Sequence, residues 1–170
     1  MPAGATYEPI ATQTLSTSAA SITFSSIAAT YTDLRIILVA KGDSASAPMI
    51  QFNGDTSTNY SGTFVAGSGS AASSTNTGAN DSRIRSGYTS VAGLSSTIPH
   101  MYTFDIFSYA GSTFKTVLTS FSEDNNGSGY VGRGVGLWRN TSAITSILVG
   151  AGGANFLTGA TFTLYGIKNA

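Results

Sequence analysis

The most regular feature of the chain is an alternation of polar and apolar residues, which is typical of β-strands. Residues 21–25 alternate in this way, and residues 34–40 form an almost unbroken aliphatic run that is too short for a capped core helix. Arg35 interrupts one of the two faces that the second segment would present as a strand. We therefore expect residues 34–40 to form a central strand, with one face buried and the other only partly covered.

Similar short segments recur along the chain and are separated by turns rich in Gly, Asn, Asp and Ser. Asn53-Gly54 is the strongest turn signal, because both residues accept positive φ. No segment shows the 3.6-residue period of an amphipathic helix. Further strands are predicted at residues 48–52, 63–65, 100–109, 113–121, 130–138, 143–149 and 161–167, with a short one within residues 83–94.

This spacing predicts an all-β chain folded as an antiparallel β-sandwich, and it favours a jelly roll. We expect residues 1–18 to form a short N-terminal arm and residues 19–170 to form the sandwich domain. Within the arm, residues 7–15 alternate weakly and are interpreted as an arm or an edge strand. Residues 66–82 contain nothing apolar larger than alanine and are predicted to be a loop, or an excursion that becomes ordered only against a neighbour.

A hairpin is predicted where residues 100–109 and 113–121 meet across the turn at residues 110–112. Pairing about this turn places Phe104 and Leu118 together on the core face. The predicted core consists of Phe24, Leu34, Ile36, Leu38, Phe104, Ile106, Leu118, Ile144, Leu148, Phe162 and Leu164.

Two features of the sequence indicate self-association. Gly132, Gly134 and Gly136 would share one face of a strand, which predicts that another chain or sheet approaches that face closely. Charged residues make up only 9% of the chain and its formal net charge is +0, so little electrostatic repulsion would keep copies apart. We expect a homo-oligomer, in the form of a homotrimer.

Charge and composition exclude several classes of function. The eight Lys and Arg residues are spread between Arg35 and Lys168 and form no basic stripe, so nucleic acid is not a predicted partner. No apolar run has the length of a membrane span, and we predict no membrane partner. The chain has no cysteine, which excludes disulfides and thiolate metal sites.

Only one residue suggests acid–base chemistry. His100 begins a predicted strand, and a triad hypothesis would combine it with a serine and a carboxylate such as Asp105. No serine lies in a G-x-S-x-G elbow, however, and a strand-end histidine that hydrogen-bonds a loop is the simpler interpretation. Alternation places Asp105 on the face opposite Phe104 and Ile106, towards solvent or a subunit boundary.

Two binding hypotheses were weighed against ordinary structural roles. Residues 123–126 cluster oxygen ligands that Ca²⁺ would accept, but their spacing matches no EF-hand and a solvated turn is expected. Tyr60, Tyr88, Tyr130 and Trp138 lie near predicted turns, where they would stack on sugar or, more simply, close the ends of the sandwich. We predict no catalytic residue, no cofactor and no metal site.

Four segments together resemble a domain of the structural proteins of tailed bacteriophages, cyanophages among them. They are residues 22–34, 52–61, 136–147 and 156–167, which include Phe52-Asn-Gly-Asp and Gly136-Leu-Trp-Arg-Asn. In order and spacing they span most of the chain. The resemblance implies a jelly-roll-like domain without catalysis, found on tail fibres and as capsid decoration.

Between these two roles, the sequence favours a capsid decoration (cement) protein. Fibres usually carry an attachment region or a repetitive shaft, whereas this chain is expected to become globular after residues 1–18. The expected partner is the major capsid protein, and the expected location is the outer surface of a virion assembled in the host cytoplasm. Residues 1–18 and 66–82 are the expected contact segments. The alternative is a tail-fibre or baseplate module that binds host-surface glycan.

Overall fold

The computed structural model describes residues 6–88 and 92–168, and within them the chain forms strands and no helix. The strands are β1 (Tyr7–Thr14), β2 (Ser21–Phe24), β3 (Asp33–Ala40), β4 (Met49–Phe52), β5 (Tyr60–Gly67), β6 (Ala72–Asn76), β7 (Ile84–Arg85), β8 (His100–Ile106), β9 (Lys115–Asp124), β10 (Gly129–Trp138), β11 (Ile147–Gly150) and β12 (Thr161–Ile167). Within the same ranges, nothing forms a helix long and apolar enough to cross a membrane.

The strands form two antiparallel sheets that pack as a sandwich, which confirms the predicted fold class. The larger sheet has eight strands in the order β1-β12-β3-β8-β9-β10-β5-β6, and the smaller has four in the order β2-β11-β4-β7. The further prediction of a jelly roll is not confirmed. A jelly roll distributes about eight strands over two sheets, whereas here the larger sheet alone has eight.

The aliphatic run at residues 34–40 lies inside the larger sheet as β3, between β12 and β8. Its even-numbered residues are fully buried against the smaller sheet, and its odd-numbered residues are half-buried or exposed. Phe104 on β8 pairs with Ile36 and is also fully buried. The expected central strand with one covered face is therefore confirmed.

The glycines of β10 face the interior of the sandwich and make room for side chains between the sheets. A Cβ atom on Gly132 would overlap the ring of Phe121, and one on Gly134 would overlap the ring of Phe64. A Cβ on Gly136 would overlap Ile84 of the smaller sheet. Close approach on this face was predicted, but the approaching groups belong to the same chain, so this face is not available to another subunit.

Two predicted core residues lie outside the core. The odd-numbered residues Lys115, Val117 and Thr119 of β9 point inward. Leu118 is therefore on the outward face and is 40% exposed. Leu148 is half-buried, because Ile147 and Val149 are the residues of β11 that point inward. The other predicted core residues are buried.

The register of the β8–β9 hairpin explains the error at Leu118. A turn centred on Gly111 would pair Phe104 with Leu118, but the observed partner of Phe104 is Thr119. A shift of one residue moves every side chain of a strand to the opposite face. The hairpin itself is confirmed, and only the face that β9 presents to the core differs from the prediction.

Two segments that were not expected to be regular core strands form the edges of the larger sheet. Residues 72–76 form β6, which pairs with β5, so the prediction of a loop over residues 66–82 is wrong for this part. Residues 7–14 form β1, which pairs with β12 at the other edge of the sheet. Of the predicted arm, residues 1–5 lie outside the described residues.

Lys115 is the most unexpected residue of the interior, since it is fully buried at the start of β9. Its ammonium group donates hydrogen bonds to the carbonyl oxygens of Gly111, at 2.7 Å, and of Thr113 and Thr141. Burial lowers the pKa of Lys115. The three carbonyl groups satisfy its three donors and hold the β8–β9 turn to residues 139–146.

Replacing Phe104 tests the core. We expect Phe104→Ala to lower the free energy of unfolding by about 3–5 kcal/mol, because it removes a fully buried ring. The same change at Phe114, which is 52% exposed, should cost less than about 1 kcal/mol. Urea denaturation followed by circular dichroism measures both, and equal costs would contradict this account of the core.

Replacing a glycine of β10 tests the packing on the inner side of this strand. We expect Gly134→Ala to lower the free energy of unfolding by about 1–3 kcal/mol, because its Cβ would overlap Phe64 and Thr119 of the two neighbouring strands. Gly67→Ala is the matched control, since the nearest atom to its Cβ is 4.0 Å away. A well-tolerated Gly134→Ala would show that the Phe64 ring does not pack closely on Gly134.

Candidate functional site

The broadest feature of the surface is the side of the larger sheet that faces away from the smaller one, here called the outer face. It consists of the alternate side chains of β3, β8, β9, β10 and β5 that do not enter the core. Its exposed apolar residues, each at least 40% accessible, are Val39, Val65, Met101, Leu118, Val131 and Val135. Isolated exposed apolar residues are common, but a set on one sheet face indicates an interaction surface.

Four polar side chains of the outer face form two pairs. The guanidinium of Arg35 donates to both carboxylate oxygens of Asp105, with 2.9 Å from its terminal nitrogen to Oδ2. This hydrogen bonding raises the pKa of Arg35. The hydroxyls of Thr103 and Ser120, on β8 and β9, are 2.6 Å apart. The prediction that Asp105 lies opposite the core residues of its strand is thus confirmed.

Arg133, on β10, is a further charged residue of the outer face. Its side chain is exposed, and within residues 6–88 and 92–168 it forms no hydrogen bond or ion pair. Its cross-strand neighbours are Ser120 on β9 and Val65 on β5. Sequence analysis did not identify this surface, although the alternation of apolar residues on β9 and β10 could have indicated it.

The single histidine lies on the opposite side of the larger sheet, facing inward. His100 is 2% exposed, and its Nδ1 is 3.0 Å from the carbonyl oxygen of Gly93 and 3.1 Å from Oε2 of Glu123. Its Nε2 is 3.4 Å from Oδ1 of Asn125. Burial raises the pKa of Glu123, and the neighbouring His100 partly offsets this rise. The expected contact with a loop is observed.

The hypothesis of a triad that contains His100 and Asp105 is not supported, because the two side chains lie on opposite faces of β8. Asp105 is five residues further along β8, so alternation places it on the outer face, where it pairs with Arg35. The carboxylate beside His100 is Glu123, which the hairpin register brings opposite it. Sequence reasoning missed this pair for the same reason that it misplaced Leu118.

The oxygen-rich segment at residues 123–126 does not converge on one point. Glu123 turns inward to His100, whereas Oδ1 of Asp124 accepts a hydrogen bond from the backbone of Gly127, at 2.9 Å. In the described parts of the chain, no group of three or more His, Cys, Asp or Glu residues is placed to hold a metal ion. The segment forms the β9–β10 turn, in which Asn126 has φ of 62°.

The aromatic residues considered for sugar binding are mainly core residues. Trp138 and Tyr60 are fully buried and stack at a centroid distance of 6.1 Å, with Phe52 packed 5.2 Å from the Trp138 ring. Tyr88 and Tyr130 are half-buried. The expectation that such residues close the end of the sandwich fits Trp138 and Tyr60, whose faces are not accessible to a ligand.

Asp55 anchors this aromatic cluster. Its carboxylate accepts hydrogen bonds from Nε1 of Trp138 at 2.8 Å, from Nδ2 of Asn59 at 2.9 Å and from the backbone of Ser57 at 2.9 Å. Burial raises the pKa of Asp55, but these hydrogen bonds outweigh it and lower the pKa to about 2. The carboxylate is therefore ionised at neutral pH and is committed to a structural role.

Comparison with protein-family models, curated proteins and solved structures yields no match to this chain.

The Asp55 cluster predicts a pH-dependent contribution to stability. Because its pKa falls from 3.8 to about 2 on folding, its contribution is present above about pH 4 and is lost as the pH falls towards 2. After allowance for solvent screening, Asp55→Asn should lower the free energy of unfolding by about 1–2 kcal/mol at pH 7. Urea denaturation should give nearly equal stabilities for both proteins at pH 2, and a constant difference would contradict the assignment.

Proposed function

We propose that this chain is a non-enzymatic structural protein of a tailed-phage virion, namely a capsid decoration protein that binds and stabilises the assembled head. The observation that carries the proposal is the outer face, a wide and weakly charged sheet surface. Surfaces of this kind mark contacts with other proteins. The four segments that resemble phage structural proteins supply the virion context.

The chemical groups of the chain support an assembly role over catalysis. The histidine is enclosed between Gly93 and Glu123, and the strongly acidic Asp55 binds Trp138. Arg35 and Asp105 neutralise each other on the outer face. These side chains stabilise the fold, so the surface that remains for function is one of shape and apolar contact.

The proposed mechanism is mechanical. Many copies would each bridge neighbouring subunits of the major capsid protein and add buried surface that the shell alone lacks. Several modest contacts made at once hold far more firmly than any one of them, because each later contact forms at high effective concentration. The β5–β6 hairpin and β1, which lie at the two edges of the larger sheet, are the proposed contact segments.

Self-association is part of the proposal. The homotrimer expected from the sequence relied on the glycines of β10, which face the interior. The contact between copies must therefore use another surface. A low content of charged residues, 9% of the chain, favours such a contact over a dispersed monomer.

Copy number per virion tests the proposed function. Quantitative mass spectrometry of purified virions should find hundreds of copies relative to the major capsid protein, and immunogold labelling should mark the head surface. Recombinant protein should also bind shells that lack it. A few dozen copies at the tail, together with binding to host-surface glycan, would replace this proposal by the fibre or baseplate alternative.

A screen for activity gives an independent check. Purified protein should show no turnover of esterase, glycosidase or peptidase substrates that depends on His100. Activity that is lost in His100→Ala, with the circular dichroism spectrum unchanged, would show that the chain is an enzyme.

A further inference from the structure

We infer that the outer face of the larger sheet packs against the outer face of a second copy of this chain, about a two-fold axis that runs along β9. This inference deepens the proposed function, on which it rests for the idea that the outer face is an assembly surface. It adds the partner, the face and the symmetry of the contact.

The size of the outer face suits a weak, reversible contact between two copies. Its five strands give four inter-strand spacings, and at about 4.8 Å each they span about 19 Å. Seven residues along a strand cover about 23 Å. The product is roughly 440 Å² per copy, or about 900 Å² for the pair, which is the size of a transient protein interface.

The outer face would lose little when water is removed from it. Burying an unpaired polar group is costly, but here Arg35 binds Asp105 and Thr103 lies within hydrogen-bonding distance of Ser120. The apolar residues Leu118 and Val135 are cross-strand partners at the centre of the face. These four polar side chains are thus already paired, and the apolar groups gain from burial.

Arg133 indicates that the partner is a second copy. A two-fold axis along β9 places β10 of one copy over β8 of the other, because these strands flank β9 on its two sides. Arg133 then lies over the partner's Thr103 and within a side chain's length of the partner's Asp105. A carboxylate has about four acceptor sites, so Asp105 can accept from Arg133 while it retains Arg35.

This arrangement supplies a counter-charge to Arg133 twice, once on each side of the axis. It also places Leu118 of the two copies opposite each other at the centre. Two sheets packed in this way keep their strands within about 30° of each other, as in the interior of β-sandwiches. The β5–β6 hairpin and β1 remain at the rim, where they are accessible to a capsid.

The test measures the mass of the isolated protein, without any capsid. Light scattering of the wild type, in a concentration series that extends to about 1 mM, should approach twice the chain mass of 17.4 kDa. Val135→Lys should raise the dissociation constant by at least about 100-fold, because it buries an unpaired charge in the interface. Arg133→Glu should weaken the dimer by at least about 10-fold, because it faces the partner's Asp105.

Thr23→Lys is the matched control, since Thr23 is an exposed strand residue on the outer side of the smaller sheet. It should leave the dimer intact. Circular dichroism of all variants checks that the fold is retained. A monomeric wild type, a trimer, or a dimer that Val135→Lys and Thr23→Lys affect equally would overturn the inference. If the protein did not bind capsids, the proposed function would be contradicted. The measured mass of the isolated dimer would be unaffected by that result.

Discussion

The structure depends on the close contact between β10 and the groups that pack on its inner side. Gly132, Gly134 and Gly136 leave space along one face of a central strand, and that space is filled by the rings of Phe121 and Phe64 and by the side chain of Ile84. Interiors of proteins are packed as densely as organic crystals, so a side chain at any of these positions would displace these groups and disturb the packing of the core. The same contact fixes which face of β10 remains outside.

That choice of face determines the character of the surface. With its glycines turned inward, β10 presents Val131, Arg133 and Val135 outward, beside Leu118 of β9. The result is a broad apolar face on a protein that has little net charge to keep copies apart. The packing of the core and the proposed assembly surface are therefore two consequences of a single arrangement of glycines.

The polar residues of the chain are used to hold its irregular segments. Asp55 binds the Trp138 indole and the turn after β4, Asp43 binds Asn155, and buried Lys115 binds three carbonyl groups. His100 ties β8 to the carbonyl of Gly93. Groups that could act in acid–base chemistry are thereby engaged in the fold. What remains for function is the surface of the protein, through contact with other proteins.

The fold class and most of the strands follow from the amino-acid sequence alone. Alternation and the turn signals are local properties, and they correctly predicted β3, β8, β10 and β12 and the burial of Phe104. They also predicted that Asp105 lies away from the core, since that conclusion needs only the period of a strand. The absence of apolar bulk concealed β6, because its pairing depends on β5 and not on its own side chains.

The pairing of the strands, in contrast, is visible only in the folded chain. A shift of one residue in the β8–β9 turn placed Thr119, and not Leu118, beside Phe104, and the same shift brought Glu123 to His100. Turn geometry sets this register, and the sequence at residues 110–112 permits more than one. Likewise, the glycines of β10 predicted that another group packs closely on this strand. Only the folded chain shows that these groups are Phe64, Phe121 and Ile84, on the inner side, so that the outer face remains free. Local sequence specifies the period of a strand, whereas its register depends on contacts between residues that are distant in the chain.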